Sequence, residues 1–152
     1  MLVEAKEITP IKTAVGVPSL DQIFQLEQLI LKLPQVEMPT INEFLDGLYA
    51  RSMFIPAGVC LTGAIHKNEN FLFVRYGDIT ILTEDGVKRF KAGDMISSKA
   101  GIKRVGLTHA DTLVTTIHAN PTNETDEKKL WDLFTIPANS NLLESQLELL
   151  GV

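Results

Sequence analysis

Residues 79–90 read ITILTEDGVKRF, two extended-looking runs on either side of Glu84-Asp85-Gly86. The β-branched Ile79, Thr80, Ile81 and Thr83 favour a pleated backbone, and Asp85-Gly86 supplies residues that tolerate the positive φ of a tight turn, so the stretch predicts a hairpin. Working outward, short runs rich in β-branched and aromatic residues recur at roughly eight- to twelve-residue spacing. They predict strands near Ala50–Ile55, Val59–Ile65, Phe71–Tyr76, Asp78–Thr83, Val87–Phe90, Met95–Ser98, Lys103–Leu107 and Thr112–His118. Pro56-Ala57-Gly58 and Lys91-Ala92-Gly93-Asp94 mark two further corners. This pattern is that of a sandwich or barrel, and the chain is expected to be mainly β, with a small antiparallel β-barrel over residues 49–120.

The ends read differently. Residues 1–18 mix Val, Ile and Thr with Pro10, Gly16 and Pro18 without a period, which predicts an extended arm; it lies either along a neighbour or back on its own barrel as an added strand. Residues 19–48 are expected to be a helical segment. Ser19 with Gln22 forms a capping box, Ile23, Leu26, Ile30 and Leu33 make an apolar stripe, and Pro34 ends the helix. Residues 121–152 are expected to be helical again. Asn123 is the expected cap, Leu130, Trp131, Leu133 and Phe134 form an apolar side, and the leucine-rich Asn141–Leu150 forms a second amphipathic helix.

Composition narrows the function. A net charge of −5, from 14 basic and 19 acidic residues, offers no footprint for a phosphate backbone, so no nucleic-acid partner is expected. The apolar runs are too short to cross a bilayer, and the first residues lack a secretory pattern, so no membrane partner is expected either. The single Cys60 excludes an internal disulfide and reads as a small buried residue on a strand. Phosphate-cradling glycine loops, nucleophile elbows and paired metal ligands on a helix are absent from the sequence.

Two glycine-framed segments carry a resemblance. The first places Gly58, Ala64, His66, Asn70 and Gly77 on the pattern G-x5-H-x-H-x3-E-x6-G; the second places Gly93, Lys99, Gly101, Arg104 and Thr108 on G-x5-P-x-G-x2-H-x3-N. The chain thereby resembles the cupin superfamily, which implies a cupin-like barrel, a double-stranded β-helix. In metal-binding cupins two histidines and a glutamate of the first motif and a histidine of the second surround one divalent ion. Here those positions hold Ala64, His66, Asn70 and Arg104, so one ligand remains of four, and no metal or other cofactor is expected. Glu69 stands one residue from the glutamate position, and on a strand that shift turns a side chain to the opposite face. His66 is an interior or rim histidine, and Arg104 either pairs with a carboxylate such as Glu69 or joins His66 and Asn70 in a polar floor for an anionic or sugar-like ligand.

The runs LPQVEMPT, GLYARSMFIPAGVCLTGAIHKNE, EDGVKRFKAG and GIKRVGLTHADTLVTTIHAN, within about residues 29–120, look like those of small cupin-like proteins of tailed bacteriophages and prophages. That resemblance implies a phage structural or virion-associated protein, made in the bacterial host cytoplasm, with other copies of itself and other virion proteins as partners and no catalytic role. Two alternatives stand beside it: a metal-dependent cupin enzyme such as an isomerase or dioxygenase, and a metal-free module that binds a small ligand.

Overall fold

The computed structural model of the protein describes residues 2–4 and 17–136. Its elements run β1 (Leu2–Glu4), α1 (Leu20–Ile30), β2 (Thr40–Leu45), β3 (Gly47–Ile55), β4 (Val59–Thr62), β5 (Ile65–His66), β6 (Asn70–Tyr76), β7 (Asp78–Thr83), β8 (Gly86–Lys91), β9 (Met95–Ser98), β10 (Val105–Thr108), β11 (Thr112–Asn120), α2 (Glu127–Phe134) and β12 (Thr135–Ile136). The expected hairpin is β7–β8. Thr83 pairs with Gly86 across Glu84-Asp85, Gly86 takes φ 104°, and the Thr83 hydroxyl donates to the Gly86 carbonyl at 2.8 Å.

That hairpin is the tip of a longer one. β7 pairs with β8, β6 with β9, β4 with β10 and β3 with β11, all antiparallel, so the chain runs out and back along itself. The doubled ribbon winds into two five-stranded sheets, ordered β1-β4-β10-β7-β8 and β2-β3-β11-β6-β9. This is a double-stranded β-helix, the jelly-roll solution that packs two sheets on one core. Ile55, Val59, Leu61, Val74, Ile79, Ile81, Ile96 and Val114 fill the space between the sheets. Gly77 and Gly93 sit at corners with φ 98° and 94°, and a Cβ at Gly77 would collide with Thr112 and the Asp111 carbonyl.

At the ends one open choice is decided and the sequence reading is corrected in two places. Leu2–Glu4 pairs with β4, Leu2 opposite Leu61, so this part of the expected arm is an added strand of its own barrel and covers an edge that would otherwise be open. Within the segment expected to be helical, residues 40–45 form β2, joined to β3 through Asp46-Gly47. The turn signal is there in the sequence, but Ile41 and Leu45 face outward and hide the alternation. α2 is capped by Asp126, whose carboxylate accepts from the Lys129 amide at 3.0 Å, rather than by Asn123. Asn123 instead adopts φ 52° and ties down the β2–β3 turn, accepting from the Gly47 amide and donating to Asp46, both at 2.8 Å. The leucine-rich residues 141–150 lie outside the described residues.

α1 begins at the expected capping box and packs across the outside of β4 and β10, where Ile30 and Leu26 meet Cys60, Val105 and Leu107. Cys60 is buried there, and burial pushes its thiol pKa up. The contact is pinned by a buried ion pair, Lys103 Nζ to Glu27 Oε2 at 2.6 Å, with the ammonium also donating to the Gly63 carbonyl at 2.8 Å. Both side chains are almost wholly removed from water, so losing one partner strands the other charge. Lys103→Met should therefore destabilise the protein by about 3–5 kcal/mol in urea unfolding, and adding Glu27→Leu should restore most of that loss. A cost below about 1 kcal/mol for the single variant, the range of an exposed pair, would contradict this reading of the contact.

Candidate functional site

Alternation along the strands decides what enters the barrel. β3 turns Arg51, Met53 and Ile55 inward, β6 Asn70 and Leu72, β11 Val114 and Thr116, and β9 Ser98; together with Leu61, Ile79 and Ile81 they line one cavity of about 280 Å³. That is near the lower end of the roughly 300–1,000 Å³ of small-molecule pockets. Met38 reaches the same space from the connection before β2, and Trp131 reaches it from α2.

All four positions of the metal frame, Ala64, His66, Asn70 and Arg104, line this cavity. The frame is geometrically right, and its chemistry does not fit a divalent cation. A methyl group has no donor atom, the Asn70 amide is a weak ligand already turned by its Nδ2 toward the Asn68 carbonyl at 3.4 Å, and Arg104 brings a fixed positive charge. No carboxylate lines the cavity among the described residues. Glu69, included among the candidate site residues, is exposed between β5 and β6 and does not reach it. Nor does Glu69 pair with Arg104. That role falls to Glu84, at a long 3.3 Å from Arg104 Nη2, while the buried Arg104 Nη1 meets no hydrogen-bond acceptor among the described residues.

Sequence reasoning missed Arg51 and Trp131. The signal for Arg51 was a lone arginine on the inward face Tyr49-Arg51-Met53-Ile55, otherwise apolar or aromatic. Its guanidinium carbon lies 5.5 Å from the centre of the Trp131 ring, a cation–π contact that holds the indole beside the cavity. Trp131 could not be placed because its position depends on where α2 docks, through Leu130 and Phe134 against Tyr49.

Behind the cavity stands an aromatic column. The His66 and His118 rings lie 5.0 Å apart, and His118 is enclosed by Tyr49 and Phe134 at 5.8 and 5.0 Å. β12 pairs Thr135 with His66 and fixes the wall on that side. Burial, reinforced by Arg51 and Arg104, pushes His66 down to about 4; burial, then His66 and Arg51, pushes His118 to about 4. Both rings are neutral at neutral pH. His118 Nδ1 is buried without a hydrogen-bond partner among the described residues. His109, on the far side, contacts Thr80 at 2.7 Å and takes no part.

No family model matches the chain, and no curated protein matches it. Among solved structures it is similar to a cupin-2 domain protein of Shewanella frigidimarina, with 13% identity and TM-score 0.45 over 68% of this chain and 95% of that one. It is also similar to the cupin domain of an XRE family transcriptional regulator from Enterobacter cloacae, with 9% identity and TM-score 0.48 over 55% and 97% of the two chains. A third is the DMSP lyase DddQ of Ruegeria pomeroyi, with 18% identity and TM-score 0.46 over 58% and 49%. At such identities these likenesses transfer no chemistry to this chain.

The neutral histidines make stability depend on pH. Unfolding returns each ring from about 4 to its ordinary 6.5, so between those values the unfolded chain binds more protons than the folded one. Their contribution is complete above pH 6.5 and is lost as pH falls toward about 4. A tenfold difference in a ring's proton affinity between the folded and unfolded chain corresponds to about 1.4 kcal/mol. Urea unfolding across this window should show wild type losing stability more steeply than His118→Phe, whose ring fits the same column. Equal pH slopes for the two proteins would contradict the buried neutral pair.

Proposed function

We propose that the barrel is a metal-free module that holds a small anionic molecule in its interior. The observation that carries this reading is the Arg104 guanidinium. It is nearly buried, with its side chain 12% exposed; its Nη2 pairs with Glu84 outside the cavity at 3.3 Å and reaches the Ser97 carbonyl at 3.4 Å, while Nη1 is left without an acceptor among the described residues. A buried guanidinium donor left unmet costs stability, and an acceptor for it is what an anionic ligand would bring. Arg51 adds a second guanidinium to the same cavity, with no carboxylate partner among the described residues. Asn70, Ser98 and Thr116 offer neutral hydrogen-bonding groups around them. No bond need be made or broken for this role, and no catalytic residue is assigned. Calorimetry of dialysed protein against acetate, octanoate, glucuronate and phosphate should find an anion that binds in the presence of a chelator and at least tenfold more weakly to Arg104→Met. One equivalent of Zn, Fe, Mn or Ni per chain, retained through a chelator wash and lost in His66→Ala, would overturn it.

A second reading uses the outside of the barrel. The outward face of the β2-β3-β11-β6-β9 sheet shows Ile41, Leu45, Phe71 and Met95 to solvent at 64%, 73%, 46% and 59%. Exposed apolar residues on one sheet face offer an interaction site. It favours packing against a second copy of the chain, as in a structural component of a virion of the sort the phage-like runs imply, made in the host cytoplasm and joined there by other virion proteins. Light scattering of the full chain should show self-association that Ile41→Glu with Phe71→Glu abolishes. A strict monomer at high concentration would count against it.

A further inference from the structure

We infer that the anion is a monocarboxylate bearing one apolar tail or ring, its carboxylate held at Arg104 and Arg51 and its apolar body directed down the barrel. This inference rests on the anion reading above. It comes from how the strand registers sort the inner faces by level. In one sheet Arg51 lies opposite Thr116, which lies opposite Leu72, and Asn70 pairs with Ser98 one step beyond. Two residues the other way, Met53 lies opposite Val114 and Val114 opposite Val74; Ile55 closes the series. In the facing sheet Arg104 precedes Val105, and the next inward level is Gly106 between Leu61 and Ile81. The cavity is therefore polar and cationic at one end and apolar at the other.

The cavity volume of about 280 Å³ limits the ligand to a small molecule. A strand advances about 3.3 Å per residue, so the apolar wall begins at Met53, about 7 Å along β3 from Arg51. A bare phosphate would satisfy the guanidinium groups without using the apolar side chains that line the cavity, Met53, Leu61, Ile81 and Val114. A sugar acid would press hydroxyls against those walls with nothing to bond them, and a dicarboxylate would carry its second charge into them. Arginine's planar fork suits a carboxylate, and Trp131, steadied by Arg51, lies beside the head group with an aromatic face.

The test is a calorimetric titration of the full chain with octanoate, 1-octanol, octylammonium, acetate, succinate and phosphate. Octanoate should saturate at one equivalent and bind at least tenfold more tightly than each of the others. Arg104→Met should weaken it at least tenfold. Met53→Trp, which fills the apolar end and leaves both arginines, should do the same to octanoate while sparing acetate; circular dichroism confirms that each variant is folded. Phosphate or succinate binding as tightly as octanoate would overturn the monocarboxylate assignment and leave the anion reading standing. A folded wild-type chain that binds none of the anions would end both.

Discussion

The pairing of Thr83 with Gly86 is the constraint that orders the barrel. Because the chain doubles back on itself from that turn, each later pairing, from β6·β9 to β3·β11, inherits its order from it. Side chains alternate with period two, so a slip of one residue would exchange the inner and outer faces of a strand. One irregularity, between Leu113 and Val114 in the β11·β6 pairing, adjusts the register where the ribbon bends. With that register in place, Val74, Val114 and Ile81 point into the core and Arg51 and Arg104 point in beside them.

Two buried cations are treated in opposite ways. Lys103 and Arg104 are neighbours in sequence and face opposite sides of the same strand approach. The lysine meets the Glu27 carboxylate at 2.6 Å and a carbonyl at 2.8 Å. The arginine has only Glu84 and the Ser97 carbonyl, at 3.3–3.4 Å, both on Nη2. The lysine is thus paired at short range, and the arginine keeps one donor unmet beside a cavity with no carboxylate among the described residues. Burial, then Arg51 and then Arg104, keeps His66 neutral. A site of this sign repels the divalent ion that the cupin frame would otherwise suggest and attracts an anion.

Much of this was legible in the sequence because it rests on local signals. The β-strands of residues 47–120 follow from β-branched runs and turn residues, and the two motif frames brought Ala64, His66, Asn70 and Arg104 to one cavity in three dimensions. Glu69, kept as a candidate beside them, lies exposed between β5 and β6 and does not reach it. What remained hidden depends on long-range choices. β2 carries apolar residues on its outer face, so its period misleads. The Asn123 side chain does not cap α2 because it is recruited by a turn 76 residues away. Glu84 reaches Arg104 only because the β7–β8 turn curls beside the start of β10. Trp131 joins the site through the docking of α2, which no local pattern specifies.

Where a metal-binding frame would hold a cation, this barrel interior holds two guanidinium groups, with no carboxylate among the described residues that line the cavity. An NMR titration of the His66 ring, in wild type and in Arg104→Met, reads that charge from inside the cavity. His66 should titrate near 4 in the wild type and move upward when the guanidinium is removed. A wild-type His66 that titrates at its ordinary 6.5, unchanged by the substitution, would contradict the cationic interior.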